Sequence, residues 1–304
     1  MLPIRDYIRR PSNLFSSLIR RYGGCLPDKI YLQAYYRLKM GRRLELDNPI
    51  RYNDKLQWLK LFYHRPEFTS FVDKSLVKNH VKDVIGEQFV IPTLGIWDTA
   101  EEIDWGSLPN RFVLKCTNAG GNYGVVICKD KQLFDKEAAI RKLNIGASLD
   151  LYQSSREWPY KNIKPRIIAE EYKEDALTGE LRDYKFFCFN GVVKALFVGT
   201  ERQKPGEDVK FDFFDENYTH LPVKQRHEHA AQIPAKPVSF EQMKEIASKL
   251  SIGIPHVRID LYEVDGQPFF GEMTFYHFGG MVPFEPDDWD FKFGEWLTLP
   301  EKIF

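Results

Sequence analysis

Two short stretches of this chain leave little choice of fold. Asn190-Gly191 sits between DYKFFCF (183–189) and VVKALFVG (192–199), and Asp265-Gly266 between HVRIDLYEV (256–264) and QPFFGEMTF (267–275). Such a pair between two apolar runs is the strongest short-range hairpin signal, because both residues tolerate the positive φ of a type I′ turn. The spacing therefore predicts two antiparallel hairpins. Short apolar runs bounded by turn residues predict further strands at FVIP (89–92), RFVLKC (111–116), VVICKD (125–130) and RIIAEEY (166–172). Residues 1–66 read as helical, with Asn53 as N-cap of a helix through Leu56, Leu59 and Phe62. A second helix is expected from Phe68 to Ile85 through Val72, Leu76 and Val84, closed by Gly86, and a third over about 134–143. Ser239 with Gln242 reads as a capping box for a helix through Leu250.

Composition excludes several classes. The chain has 304 residues, 43% hydrophobic, which suits a soluble globular protein of about two domains and not a disordered one. Lys+Arg and Asp+Glu both number 43, a balance that argues against a nucleic-acid partner. No run of 18 apolar residues exists and the N-terminus lacks a signal-peptide core, so the expected location is the cytoplasm. Residues 1–24 set Arg5, Arg9, Arg10, Arg20 and Arg21 against Asp6, interleaved with Ile4, Ile8, Leu14, Phe15, Leu18 and Ile19. That pattern suits either a weak peripheral contact with the inner face of an anionic membrane or packing on the protein itself. Cys116, Cys128 and Cys188 lie in or beside apolar runs and read as buried reduced thiols. The aromatic fraction, 14%, divides between strand residues such as Phe112, Phe187, Phe189 and Phe197 and the loop residues Trp158, Tyr160, Tyr276 and Trp289.

The last hairpin carries the chemistry. Val257, Ile259 and Leu261 alternate with Arg258, Asp260 and Tyr262, so period two separates a buried face from a polar one. On the return strand Phe270, Glu272 and Thr274 share a face. Arg, Asp, Glu and Thr on one face can hold a divalent cation and a phosphate chain, since Mg²⁺ takes hard oxygen ligands and Arg offers a planar, permanent charge. A strict two-residue turn would put Asp260 and Glu272 on opposite faces. The expectation is instead a three-residue loop with Gly266 in a left-handed bulge, pairing Arg258 with Glu272. A second candidate is TNAGGNYG (117–124), a turn-rich loop whose small residues let backbone N–H groups approach an anion, just after Lys115 at a strand end. It matches neither the P-loop nor the Rossmann fingerprint.

In order, Asp73-Lys74, Ile91-Pro92, Lys115 with its glycine loop, Glu170-Glu171-Tyr172, then Asp260 and Glu272 on the last hairpin resemble the ATP-grasp superfamily. The strings NPIRYNDKLQWLKLF (48–62), REWPYKNIKPRIIAEEY (156–172), DYKFFCFNG (183–191) and VRIDLYEVDGQPFFGEMTFY (257–276) resemble, more narrowly, the TupA-like ATP-grasp family of surface-polysaccharide biosynthesis. The resemblance implies an α+β ATP-grasp fold, two α+β lobes with the nucleotide between them. It divides the chain into a helical N-terminal segment (1–66), a first lobe with the lid (67–172) and a C-terminal lobe with the metal site (173–304). It implies that Lys74 and Lys115 bind ATP phosphates under a loop containing Gly120 and Gly121. Glu170, Glu171 and Tyr172 would form the adenine hinge, Asp175 would reach the ribose, and Lys185 would contact phosphate or substrate. Arg258 would stabilise the transferred phosphoryl group, and Asp260, Glu272 and Thr274 would ligate Mg²⁺, with Thr274 where the superfamily has Asn. His277-Phe278 stands where small residues or Pro are expected. Asp73 would cap its helix.

The implied activity is an ATP-dependent carboxylate–amine ligase working through an acyl phosphate, joining an amino acid or amine to a uronic acid of a glycan precursor. A sugar or glycan kinase would use the same ATP site. A glycosyltransferase or a glycan-binding protein without ATP turnover is the other reading, for which Asp288-Trp289-Asp290 supplies a metal-type D-x-D.

Overall fold

The computed structural model describes residues 11–121, 123–176, 179, 181–201 and 208–304, with side chains from residue 15 onward. Residues 1–10 of the basic segment and Asn122 of the glycine loop lie outside them. Five helices come first: α1 (Pro11–Tyr22), α2 (Asp28–Met40), α3 (Tyr52–Phe62), α4 (Glu67–Val72) and α5 (Val77–Ile85). A four-stranded antiparallel sheet follows, β1 (Thr93–Trp97), β2 (Phe112–Cys116), β3 (Val125–Cys128) and β4 (Ile167–Glu171), in the order β1-β4-β2-β3. Helices α6 (Lys136–Ala147) and α7 (Leu151–Ser155) lie between β3 and β4 in sequence. The second sheet has six antiparallel strands: β5 (Asp183–Phe189), β6 (Val192–Thr200), β7 (Lys210–Asp215), β8 (His220–Leu221), β9 (Val257–Val264) and β10 (Gln267–Thr274), in the order β10-β9-β5-β6-β7-β8. Helix α8 (Phe240–Leu250) covers β5, β6 and β9, and α9 (Asp288–Trp296) packs on α3.

Each sheet has its own core. Phe112, Leu114, Cys116, Cys128, Leu143 and Ile167 fill the smaller one. The larger runs from α2 and α3 through the six-stranded sheet to α8 and α9. Tyr52 sits at its centre, edge-on to Phe187, Phe189, Phe284 and Phe293, geometries that aromatic quadrupoles favour. The three cysteines expected to be buried are buried and free; Cys25 is exposed.

Several local expectations are corrected. Residues 89–92 are not a strand: Glu87–Phe89 form a 3₁₀ turn and the strand starts at Thr93, after Pro92. The 68–85 helix is two, because Asp73 Oδ1 accepts the N–H groups of Ser75 and Leu76 and restarts the helix at Val77. The face then rotates, burying Val77, Lys78 and Val81 and leaving Leu76 and Val84 exposed. Asn53 is not an N-cap; it lies inside α3, its backbone and side-chain nitrogens both donating to Asp290 Oδ1 at 2.9 Å. Ser239 precedes α8 without capping it, because its N–H and hydroxyl are drawn to Glu263 at 2.8 and 2.5 Å.

The last hairpin also differs. Its turn has two residues, Asp265 and Gly266, at φ 51° and 78°, and Val264 pairs with Gln267. The register then slips at Gly271, so that Glu272 faces Asp260 and Thr274 faces Arg258. A bulge inside the return strand, not a longer loop, brings Asp260 and Glu272 to one face. A Cβ at position 271 would lie 3.0 Å from both the Asp260 carbonyl oxygen and the Tyr262 ring, so glycine suits the bulge.

Candidate active site

A cleft of about 470 Å³ opens between the two sheets. The four-stranded sheet and the preceding α4–α5 turn bring Lys74, Lys115, Gly121, Glu170, Glu171 and Tyr172 to it; the six-stranded sheet brings Asp183, Lys185 and Glu272. Position follows from register. Lys115 pairs with Ile168 on β4, and Lys185 on β5 pairs with Asp260 on β9.

On the first side Glu170 is the hub. Its buried carboxylate takes Lys115 at 2.6 Å through one oxygen and Lys78 through the other. Burial alone would raise this carboxyl, but Lys115 and Lys78 outweigh it and hold it down at about 2. The Lys115 ammonium moves the opposite way: burial would lower it, but Glu170 holds it above its ordinary value. Lys74 donates to the Ala119 carbonyl in the glycine loop. Burial lowers its pKa, with Glu272 opposing. A phosphate chain would give these ammonium groups the negative partner that burial calls for.

On the second side the groups are locked together. Arg258 grips Asp260 with two parallel bonds, Nε to Oδ1 and a terminal nitrogen to Oδ2, each 2.7 Å. The same guanidinium reaches Thr274 Oγ1 at 3.0 Å and Glu272 Oε1 at 3.4 Å. Its remaining nitrogen donates to His277 Nδ1 at 2.7 Å, which fixes the neutral tautomer whose Nε2–H donates to Gln225 Oε1 at 2.8 Å. Burial and then Arg258 push His277 well below its ordinary pKa. Lys185 pairs with Asp260, and with Asp183 at 3.4 Å. Burial would raise Glu272, but Lys185, Lys74 and Arg258 bring it to about 2. Asp260 is 1% exposed, whereas the Glu272 side chain keeps 34%, so Glu272 is the carboxylate open to the cleft.

The sequence-predicted residues thus fall into three groups. Lys74, Lys115, Gly121, Glu170, Glu171, Tyr172, Lys185 and Glu272 line the cleft. Arg258, Asp260 and Thr274 stand behind Glu272 and connect to it. Gly120 precedes Gly121 in the loop, while Asp175 lies apart in an adjoining groove, its carboxylate accepting the Asp265 N–H at 3.0 Å. Asp290 of the D-x-D is buried against Asn53 and Arg42, which leaves that motif holding helices together.

Sequence reasoning missed Lys78, for which the one signal is its i,i+4 spacing from Lys74. It also missed Lys60, a buried lysine with Glu157 near it. Lys60 donates to Ser155 O at 3.0 Å and Gly279 O at 2.7 Å, and burial lowers its pKa to about 8 against the pull of nearby Glu157. Tyr276 lies beneath this ammonium, 5.5 Å from ring centre to nitrogen, and Tyr160 is close enough for Glu157, Glu272 and Arg258 to bear on its hydroxyl. Trp158 stacks on His64 instead, and Trp289 packs on Phe293.

Two antiparallel sheets face across a lysine-lined cleft, with an Arg-Asp-Glu cluster on the last hairpin, and the chain is of the ATP-grasp class. Within it the chain belongs to the TupA-like ATP-grasp family, whose model matches residues 54–298. Similar solved structures include the D-alanine-D-alanine ligase from Helicobacter pylori, at 18% identity and TM-score 0.42 over 81% of this chain and 69% of that one. The D-cycloserine synthetase DcsG is similar at 15% identity and TM-score 0.43, over 75% of this chain and 69% of that one. The ATP-grasp ligase PsnB, complexed with a minimal precursor, is 10% identical with TM-score 0.40, and the match covers 73% of this chain and 60% of PsnB. No curated protein sequence matches the chain. No helix among the described residues is long and apolar enough to cross a membrane.

Proposed function

We propose that the protein is an ATP-dependent carboxylate–amine ligase of surface-polysaccharide biosynthesis, working in the cytoplasm and joining an amino acid or amine to a uronic acid of a glycan precursor. The observation that carries the ATP-dependent half of this reading is the polarity of the cleft, and the family match favours a ligase. Three lysines that can meet phosphate, Lys74, Lys115 and Lys185, converge on an open Glu272 backed by the Arg258–Asp260 pair. In the reaction a carboxylate oxygen attacks the γ-phosphorus, ADP leaves, and an acyl phosphate forms. The amine nitrogen then attacks the acyl carbon, loses a proton and expels phosphate. Charge accumulates on the transferred group, which the lysines and, behind Glu272, Arg258 would offset.

Carboxylates and a hydroxyl are hard donors, and the open Glu272 with Thr274 would hold magnesium; Asp260, whose two oxygens are taken by Arg258 and Lys185, would join them only by releasing a partner. When bound, the ion would neutralise phosphate charge beside Glu272.

The test is incubation with ATP, Mg²⁺, candidate uronates and amines, following phosphate release and product mass. ADP with an amide product is the expected outcome; a phosphosugar would replace this reading by a kinase, and absence of nucleotide binding would remove it. Glu272→Gln should lower turnover by at least about 100-fold with the far-UV circular dichroism unchanged.

A further inference from the structure

A second cluster of titratable groups lies on the other face of the six-stranded sheet. Asp212 on β7 is in register with Val198 and Tyr184, one step off the Phe213–Phe197–Lys185–Asp260 line that meets the cleft. Successive strand residues point to opposite faces, so Asp212 points away from the cleft. Its Oδ1 is 3.1 Å from His220 Nε2 and 3.3 Å from His229 Nδ1, and these three atoms all lie within 4.8 Å of one another. Its Oδ2 accepts the Ala230 N–H at 3.2 Å.

Hydrogen bonding to Asp212 accounts for one of the two imidazoles. His220 Nε2 lies at an ordinary hydrogen-bond distance of 3.1 Å, whereas His229 Nδ1, 3.3 Å from Asp212, bonds the Phe211 carbonyl instead. Tetrahedral zinc, with bonds of about 2.0–2.1 Å to nitrogen, sets its ligands about 3.3 Å apart, close to the two distances from Asp212 Oδ1, 3.1 and 3.3 Å. One carboxylate oxygen faces both imidazole nitrogens while the other is oriented by the backbone, as in a monodentate ligand with its supporting bond. Asp212 is also 0% exposed, and a buried carboxylate needs a positive partner. Among the described residues, the groups within ion-pairing distance of it are these two imidazoles, with no lysine or arginine.

We propose that Asp212, His220 and His229 form a binding site for a divalent ion of the zinc class, through Oδ1, Nε2 and Nδ1, with water completing the shell. The imidazoles are 27% and 24% exposed, which gives ion and water a way in. His229 Nδ1 also lies 3.1 Å from the Phe211 carbonyl, where the metal-free ring can rest its proton; coordination through Nδ1 moves that proton to Nε2 and leaves the imidazole neutral. The ion would tie β7, the two-residue β8 and the segment carrying His229 to one point. This proposal does not depend on the activity assigned to the cleft.

The test uses the full chain, stripped with a chelator and titrated with zinc against a chromophoric competitor, then with cobalt to read its visible bands. One zinc equivalent that survives excess Mg²⁺, with a raised melting temperature, is expected. His220→Gln and His229→Gln should each weaken zinc at least about 100-fold, because even changes one shell further out cost 10–100-fold. Glu272→Gln should leave the tight equivalent intact. Asp212→Asn changes a buried group and is read only alongside the two histidine variants, which are partly exposed. Absence of a stoichiometric zinc, or its loss in Glu272→Gln with retention in the histidine variants, overturns the proposal.

Discussion

The two walls of the cleft use charge differently. On the four-stranded sheet one buried carboxylate, Glu170, restrains Lys78 and Lys115 with one oxygen each. On the six-stranded sheet every group is shared. Asp260 is held by Arg258 and Lys185, Arg258 also reaches Glu272, Thr274 and His277, and His277 leans on Gln225. The first arrangement holds cations that an incoming anion can take over. The second fixes geometry, since moving one member unsatisfies several others in a low-dielectric setting.

The largest effect that tests this contrast is Arg258→Ala. It strands the Asp260 carboxylate in the interior, and we expect a loss of about 3–5 kcal/mol on denaturant unfolding together with loss of turnover. Arg258→Lys should recover little, because one ammonium cannot reproduce the paired bonds to Asp260. A mild stability change would break the distinction between the walls.

Glu170→Gln comes next. It removes one charge and leaves two ammonium groups with a weaker acceptor, so about 1–3 kcal/mol of stability should go. ATP should bind roughly 10-fold more weakly, with turnover at saturation changed less; isothermal titration and the KM-against-kcat split check this.

Acid titration gives the most graded effect, small per pH unit and spread over several. His256, just before β9, is held by burial at about 3, below the ordinary imidazole value of about 6.5. Its lowered pKa means that stability is complete above about pH 6.5 and falls as pH drops towards 3, at no more than about 1.4 kcal/mol per unit. His277 acts in the same direction. Glu170, held at about 2, contributes fully above about pH 4.3 and loses its contribution between there and 2. The buried imidazoles thus act from about pH 6.5 downward, while Glu170 on one wall and Glu272 on the other share the window below about 4.3. His256→Gln should flatten the limb between about pH 6.5 and 4.5, and Glu170→Gln the limb below it, in unfolding free energies measured across pH.

Much of this was legible in the sequence because the signals were local. Asn190-Gly191 and Asp265-Gly266 marked their hairpins, and period two put Arg258 with Asp260. The bulge at Gly271 was not legible, because a turn length and a register slip can produce the same final facing. Lys60, Glu157 and Lys78 were invisible for another reason. Their roles arise where distant segments meet, Lys60 with the 155 and 279 carbonyls and Lys78 with Glu170. Asn53 and Ser239 followed capping statistics until partners far along the chain, Asp290 and Glu263, claimed them.

The slip at Gly271 gives the hairpin slack in length. The tip follows one phase and the base another, and the glycine absorbs the offset between them. If Val264 paired with Pro268 in place of Gln267, the turn would become a three-residue loop, and the bulge could then flatten with Asp260 still opposite Glu272. Loop length at the tip can therefore drift while the reacting end stays aligned, much as an expansion joint lets a span lengthen without shifting its piers.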